Sequence, residues 1–151
     1  MVTIIDFEQR YADDFKRLNL EWLDKYNLTE SHDLQVLNDP AGTITDRGGY
    51  IYLASSGGKI IGTAALIKEH NDEFELAKMT VDPQYRGRGI SKLLIEKCLE
   101  KANETGAKKL FLYSNSQLQT AINLYTKYGF RNIPVNDSPF LTADVKMELQ
   151  F

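Results

Sequence analysis

Apolar residues open the chain at helical spacing. After a short apolar start at Val2 to Ile5, the side chains Tyr11, Phe15, Leu18 and Trp22 follow one another at intervals of four, three and four, the period of an amphipathic helix lying on a sheet. Ser31 to Leu37 reads as a second helical piece, with Ser31 as its N-cap and Asn38-Asp39-Pro40 as its end. The pattern then changes. Tyr50 to Ile67 reads as two strands joined at the glycine pair Gly57–Gly58, and Glu73 to Val81 as a third after a polar turn at His70 to Asp72. Three consecutive strands predict an antiparallel meander.

From Ile90 onward the helical period returns. Ile90, Leu94 and Cys98, flanked by Leu93, Ile95, Leu99 and Ala102, form one apolar face, with Lys92, Glu96, Lys97, Glu100 and Lys101 mostly outside it, and Gly106 is the natural stop. Lys108 to Ser114 has the composition of a buried strand, and a helix follows through Leu118 to Tyr128, ending at Gly129. Leu141, Ala143, Val145, Met147 and Leu149 alternate strictly and predict a last strand. That strand reads either as an inner-face strand or as an edge at which a homodimer forms. The order helices, three strands, helix, strand, helix, strand makes an α/β sandwich with a mixed sheet, in one domain over residues 1–151.

Composition narrows the function classes. With 151 residues, 42% hydrophobic and 26% charged, the chain is long enough for a sizeable core. A net charge of −3 gives no bulk attraction to nucleic acid or to an anionic membrane. The start of the sequence lacks a basic flank followed by a long apolar run, and no stretch approaches the roughly 18 apolar residues of a spanning helix. One cysteine, Cys98, excludes an internal disulfide framework and fits a reducing compartment, so the expected location is cytoplasmic. Cys98 falls on the apolar helix stripe, which favours packing over nucleophilic chemistry. His32 and His70 are far apart and lack metal-ligand spacing, so no metal site is expected.

The chemistry is concentrated in "DPQYRGRGISKLL", residues 82–94. Arg86, Arg88 and Lys92 crowd a helix start, where the dipole and unpaired N–H groups already carry about half a positive charge, so the arrangement asks for an anion. Gly87 and Gly89 let the backbone turn tightly and approach a ligand closely, and the cations add charge-assisted donors. A pyrophosphate fits. Neither the Walker spacing nor a third Rossmann glycine is present in Gly87 to Lys92.

These residues resemble the GNAT superfamily of N-acetyltransferases, whose signature Gln/Arg-x-x-Gly-x-Gly/Ala is matched by Gln84, Gly87 and Gly89. The longer form V-x-P-x-Y-R-G-x-G-I is matched by Val81, Pro83, Tyr85, Arg86, Gly87, Gly89 and Ile90, and the downstream A-I-x-L-Y-x-K-x-G-F by Ala121, Ile122, Leu124, Tyr125, Lys127, Gly129 and Phe130. The resemblance covers most of the chain. It implies a three-layer α/β sandwich whose central mixed, mostly antiparallel sheet is flanked by helices. It also implies acetyl-CoA as co-substrate, with its pyrophosphate on the turn at Gln84, Arg86, Gly87, Arg88, Gly89, Ile90, Ser91 and Lys92. The strand before that turn splays from its neighbour in the family, so the main chain at Met79, Thr80 and Val81 is expected to pair with pantetheine. Asn115 is a further candidate, although the family's asparagine commonly stands seven residues before the tyrosine, where this chain has Leu118. Capping of the following helix is the other reading of Asn115.

The implied reaction is attack of a neutral amine on a thioester. Freeing the lone pair of an amine of pKa about 10.4 costs roughly 4–5 kcal/mol at pH 7, so a base is useful. Glu75 and Glu73 are the candidates, two apart and so on one strand face. Glu75 is preferred because its apolar neighbours Phe74, Leu76 and Ala77 would desolvate it and raise its pKa. Tyr125 matches the family's general acid, a phenol that reaches the coenzyme sulfur. Trp22, Tyr26 and the stretch Tyr26 to Asp33 are the expected wall of the acceptor pocket, for a small amine, an amino-acid derivative or a peptide amine. A non-catalytic acyl-CoA-binding sensor and an ATP-binding protein remain as alternatives, the first disfavoured by the presence of both Glu75 and Tyr125.

Overall fold

The computed structural model describes residues 1–136 and 138–151. In chain order the elements are β1 (Val2–Asp6), α1 (Ala12–Lys25), α2 (Ser31–Asn38), the single turn α3 (Pro40–Thr43), β2 (Tyr50–Ser56), β3 (Lys59–Lys68), β4 (Glu73–Val81), α4 (Ile90–Glu104), β5 (Lys109–Ser114), α5 (Gln119–Lys127), β6 (Arg131–Ile133) and β7 (Val145–Gln150). The strands form one seven-stranded sheet in the order β1-β2-β3-β4-β5-β7-β6. Every pairing is antiparallel except β4 with β5.

Period-two alternation sends successive side chains of β2 into two different cores. Ile51 and Leu53 pack with Phe15 and Leu18 of α1 and Val36 and Leu37 of α2. Tyr52 and Ala54 pack with Ile90, Leu94, Ile95 and Cys98 of α4, and the same core takes in Tyr125 of α5. Helices therefore cover both faces, the sandwich that the element order predicts. Cys98 is fully buried and its thiol is pushed up to about 12 by burial, which leaves it a packing residue.

Three helices end in the same device. Gly106 after α4 (φ +79), Gly129 after α5 (φ +96) and Asn27 after α1 (φ +55) occupy the left-handed region. The next residue's N–H then reaches back to the third-last helical carbonyl: Ala107 to Ala102, Phe130 to Tyr125 and Leu28 to Leu23.

Three details differ from the sequence expectation. Glu30, and not Ser31, caps α2, its backbone N–H donating to Asp33 Oδ2 at 2.9 Å. The short strand β6 was too brief to show a period. The alternation from Leu141 to Leu149 overstates the last strand, because Leu141 is 97% exposed and pairing begins only at Val145. Of the two readings of that strand, the sheet order matches the inner one, since β7 lies between β5 and β6 and the edges are β1 and β6.

β4 departs from regular pairing. Thr63 of β3 faces Thr80, but Ala65 faces Ala77, so β4 carries one extra residue in this interval. Lys78 sits there with φ +52, a conformation that costs a side-chain-bearing residue about 1 kcal/mol or more. It is held by Thr63 Oγ1, which donates to the Lys78 carbonyl at 2.6 Å and accepts from Asn19 Nδ2 of α1 at 3.1 Å.

α4 approaches β3 closely at Gly62, where an added Cβ would stand 3.1 Å from Leu94 Cδ1 and 3.3 Å from both Ala54 Cβ and the Thr80 carbonyl. Gly62→Ala is therefore expected to destabilise the fold by about 1–3 kcal/mol through overpacking, measured by urea unfolding. A change below about 0.5 kcal/mol, the range of ordinary surface substitutions, would contradict this packing.

Candidate active site

The parallel ladder between β4 and β5 spans only Glu73–Lys109, Phe74–Leu110 and Glu75–Phe111. Beyond Glu75 the strands part. Leu112, Tyr113 and Ser114 pair with β7, while Leu76, Ala77, Thr80 and Val81 pair, among the described residues, with β3 alone. The gap is a cleft of about 680 Å³. One side of β4's backbone there, at Met79, Thr80 and Val81, has no strand partner, and all three residues line the cleft. This is the splayed strand expected from the resemblance.

At one end the cleft reaches the glycine turn. A turn over Pro83–Tyr85 leads into it, with Asp82 Oδ1 accepting from Gln84 N at 2.9 Å. Gly87 and Gly89 take φ +78 and +75, and a Cβ on either would meet nothing within 4 Å. The requirement for glycine is thus conformational, and the space over the turn is open. Gly89 caps α4, so the first N–H groups of the helix face that space. Arg86, Gly87, Gly89, Ile90, Ser91 and Lys92 line the cleft. Gln84 and Arg88 are not among its lining residues; Arg88 lies over the Tyr85 ring with its guanidinium carbon 5.1 Å from the centroid. Arg86 Nε donates to the Val81 carbonyl at 3.3 Å, which ties the turn to the strand. A diphosphate fits this donor set, with backbone N–H groups, an open approach and cations on both flanks.

Glu75 and Tyr125 both line the cleft. Glu75 is 6% exposed, and burial raises its carboxyl to about 7; Lys78 pulls it down, while Glu69 and Asp33 push it up. Tyr125 is 9% exposed, packs its ring 5.8 Å from that of Phe130, and is raised to about 12 by burial with a smaller push from Cys98. At neutral pH the phenol is therefore a proton donor, and the carboxyl is poised to take a proton up or give it away. Glu73 does not join them. Its carboxylate lies 3.3 Å from Lys109 Nζ, beside a separate small hollow with Glu69 and His70.

Asn115 lines the cleft with both polar ends engaged. Nδ2 donates to the Thr142 carbonyl at 2.7 Å and Oδ1 accepts from Gln117 N at 3.0 Å. It does not cap α5, whose N-cap is Leu118. The other end of the cleft is walled by Trp22 and Tyr26, their ring centroids 5.3 Å apart, and by Tyr113, Phe140 and Thr142. Across this end Glu30 acts as a latch, accepting from Leu141 N at 2.8 Å, Thr142 N at 3.0 Å and Thr142 Oγ1 at 2.5 Å. His32 takes no place in the cleft wall and packs edge-on against Phe140 at 5.0 Å.

The sequence reading took in Asp33 only as the end of the stretch from Tyr26, and did not find Lys78, Tyr113, Phe140 or Thr142. One signal was present. Phe74 and Leu76, then Met79 and Val81, face the α4 core, so the apolar period slips by one residue at Ala77–Lys78, which is the mark of a bulge. The partnership of Lys78 with Asp33, 45 residues away, has no local pattern.

The sequence matches the Acetyltransferase (GNAT) family over residues 9–130. It is 30% identical over 111 residues to N-acetyltransferase 8 of Rattus norvegicus, covering 70% of this chain and 50% of that protein, so the chain spans half the length of this relative. It is 28% identical over 131 residues to YvbK, an uncharacterized N-acetyltransferase of Bacillus subtilis, covering 85% of this chain and 84% of that one. In fold it superimposes on a GNAT-family acetyltransferase of Staphylococcus aureus with a TM-score of 0.92, at 24% identity and over 99% of both chains. A PaiA N-acetyltransferase of Thermoplasma acidophilum, solved in complex with coenzyme A, superimposes with a TM-score of 0.77 at 16% identity, over 100% of this chain and 99% of the other. The matched span contains the glycine turn, the splayed strand and Tyr125, and on this ground the chain belongs to the GNAT acetyltransferase family.

Proposed function

We propose that the protein is an acetyl-CoA-dependent N-acetyltransferase that passes the acetyl group directly to an amine, with no covalent enzyme intermediate. The observation that carries this reading is the placement of Glu75 and Tyr125 in one cleft whose far end is the glycine turn. The turn, with Arg86, Lys92 and the N–H groups that open α4, would hold the diphosphate. The free main chain of Met79 to Val81 would pair with the pantetheine amides.

Acetyl-CoA supplies the activated acyl group as a thioester. Glu75 takes a proton from the acceptor's ammonium, directly or through a water, and exposes the lone pair. As the C–N bond forms and the C–S bond breaks, Tyr125 gives its proton to the departing sulfur. The nitrogen's second proton restores the phenol through solvent, so the products are the acetamide and free coenzyme A, and Glu75 releases its proton to water. Burial serves both groups. It lifts the carboxyl into the range where it can accept a proton at pH 7 and keeps the phenol protonated until charge develops on sulfur.

The first test is release of coenzyme A thiol from acetyl-CoA across a broad amine panel. Release with any acceptor supports the transferase, whereas binding of acetyl-CoA without release across the panel would favour a sensor. Tyr125→Phe is expected to lower kcat by about 10²-fold or more while changing the Kd of acetyl-CoA less than about threefold. Equal loss of both, or loss of neither, would remove Tyr125 from the mechanism.

Glu75 yields a prediction for pH. In the wild type, kcat/KM should fall as pH drops below about 7, where the carboxyl takes up its proton, and Glu75→Gln should abolish that acid limb along with most of the activity. The same residue costs stability. Its folded pKa of about 7 lies above the unfolded value of 4.5, so the neutral acid is favoured by folding below pH 4.5 and that contribution is lost as pH rises toward 7. Glu75→Gln is therefore expected to stabilise the fold by up to about 3 kcal/mol at pH 8 and by under about 1 kcal/mol at pH 5, read by urea unfolding at the two values. Equal effects at both would contradict a raised carboxyl.

A further inference from the structure

The acceptor end of the cleft contains one ammonium among carboxylates. Lys78 and Asp33 have side chains only 7% and 3% exposed, and the lysine Nζ lies 2.5 Å from Asp33 Oδ1. Asp33 Oδ2 is already taken by the Glu30 N–H at 2.9 Å. Lys78 also stands over the Phe140 ring, 5.4 Å from its centroid. Fold stability does not account for the arrangement, because a buried ion pair is on average no more stabilising than an apolar pair of the same volume. The backbone at Lys78 is moreover in a costly conformation that Thr63 and Asn19 hold in place. Such an over-determined outlier beside reactive groups points to function.

An ammonium has three donors, and Asp33 accounts for one. Lys78 lines the same cleft as Glu75, near enough to lower its carboxyl's proton affinity. On the strength of the transferase reading above, we infer that the acceptor is an amine bearing its own carboxylate a few bonds from the nitrogen, an amino acid or close analogue, with the carboxylate seated on Lys78 while the amine faces Glu75. The ammonium of such a zwitterion would meet Glu75, and its carboxylate the Lys78 donors that Asp33 does not take. Trp22 and Tyr26 offer its body an apolar surface. The face of Phe140 is not open to a second cation of a diamine or polyamine, since Lys78 already stands over it. Glu30 accepts from Leu141 N and Thr142 N and so ties the start of α2 to the segment that carries Phe140.

The inference is tested by thiol release with a panel of L-amino acids, each paired with its carboxamide, together with putrescine and spermidine. In the wild type, at least one acid should exceed its carboxamide by about ten- to a hundredfold in kcat/KM, with the difference in KM. Lys78→Met should remove that preference by raising the KM of the acid to that of its carboxamide, leaving the Kd of acetyl-CoA within about threefold of wild type. Lys78→Arg should restore it. Because Lys78→Met alone leaves Asp33 as an uncompensated buried charge, the pair Lys78→Met/Asp33→Asn is made beside it, and loss of the acid preference is expected there too. Equal KM for acids and carboxamides, or a preference for the polyamines, overturns the inference and leaves the transferase reading standing. Release with no amine of any kind overturns both.

Discussion

The parallel ladder between β4 and β5 ends after three residue pairs, and the cleft depends on where it ends. A strand in the interior of a sheet normally has both backbone edges paired. From Leu76 to Val81, β4 has one. The unpaired N–H and C=O groups form a template for an extended amide-bearing ligand, the same physics by which a peptide adds to a sheet edge. The parting also sets the glycine turn at the end of that template, because β4 runs straight into it, and it leaves Glu75 at the apex, the last paired residue and the first to face the gap. The extra residue at Lys78 belongs to the same departure. It turns a side chain that a regular strand would direct elsewhere into the acceptor end.

The electrostatics of the cleft are graded along its length. The turn end is cationic and open, fit for a highly charged and well-hydrated group. At Glu75 and Tyr125 burial makes a carboxyl and a phenol more reluctant to ionise, which is what the proposed chemistry would need. The acceptor end pairs one ammonium with one carboxylate behind aromatic rings. The turn end is built on the start of α4, the Glu75 and Tyr125 pair on β4 and α5, and the acceptor end on β4 together with α1 and α2. β4 joins the last two, and Lys78 lowers the proton affinity of Glu75.

Much of this was legible in the sequence, for reasons that differ by residue. Gly87 and Gly89 are readable because a positive φ and an open approach both demand glycine, and because cations at a helix start contradict the dipole unless an anion joins them. Glu75 is readable because an acid inside an apolar strand run must be desolvated. Tyr125 was found by resemblance, its own physics being that of any buried tyrosine. What escaped was non-local. Asp33 and Lys78 meet across 45 residues of chain, and Glu30 meets Leu141 and Thr142 across more than a hundred. The alternation at Leu141 and Ala143 misled because period two says nothing of whether a neighbouring strand is there to pair.

The central claim is that this cleft grips coenzyme A through a diphosphate on the glycine turn. Calorimetric titration tests it most directly, comparing coenzyme A, pantetheine and ATP under one buffer condition. The account predicts saturable binding of coenzyme A, a loss of at least about tenfold in affinity for pantetheine, which lacks the diphosphate, and weaker binding of ATP, which lacks the pantetheine arm. No heat with coenzyme A, or tighter binding of ATP, would contradict it.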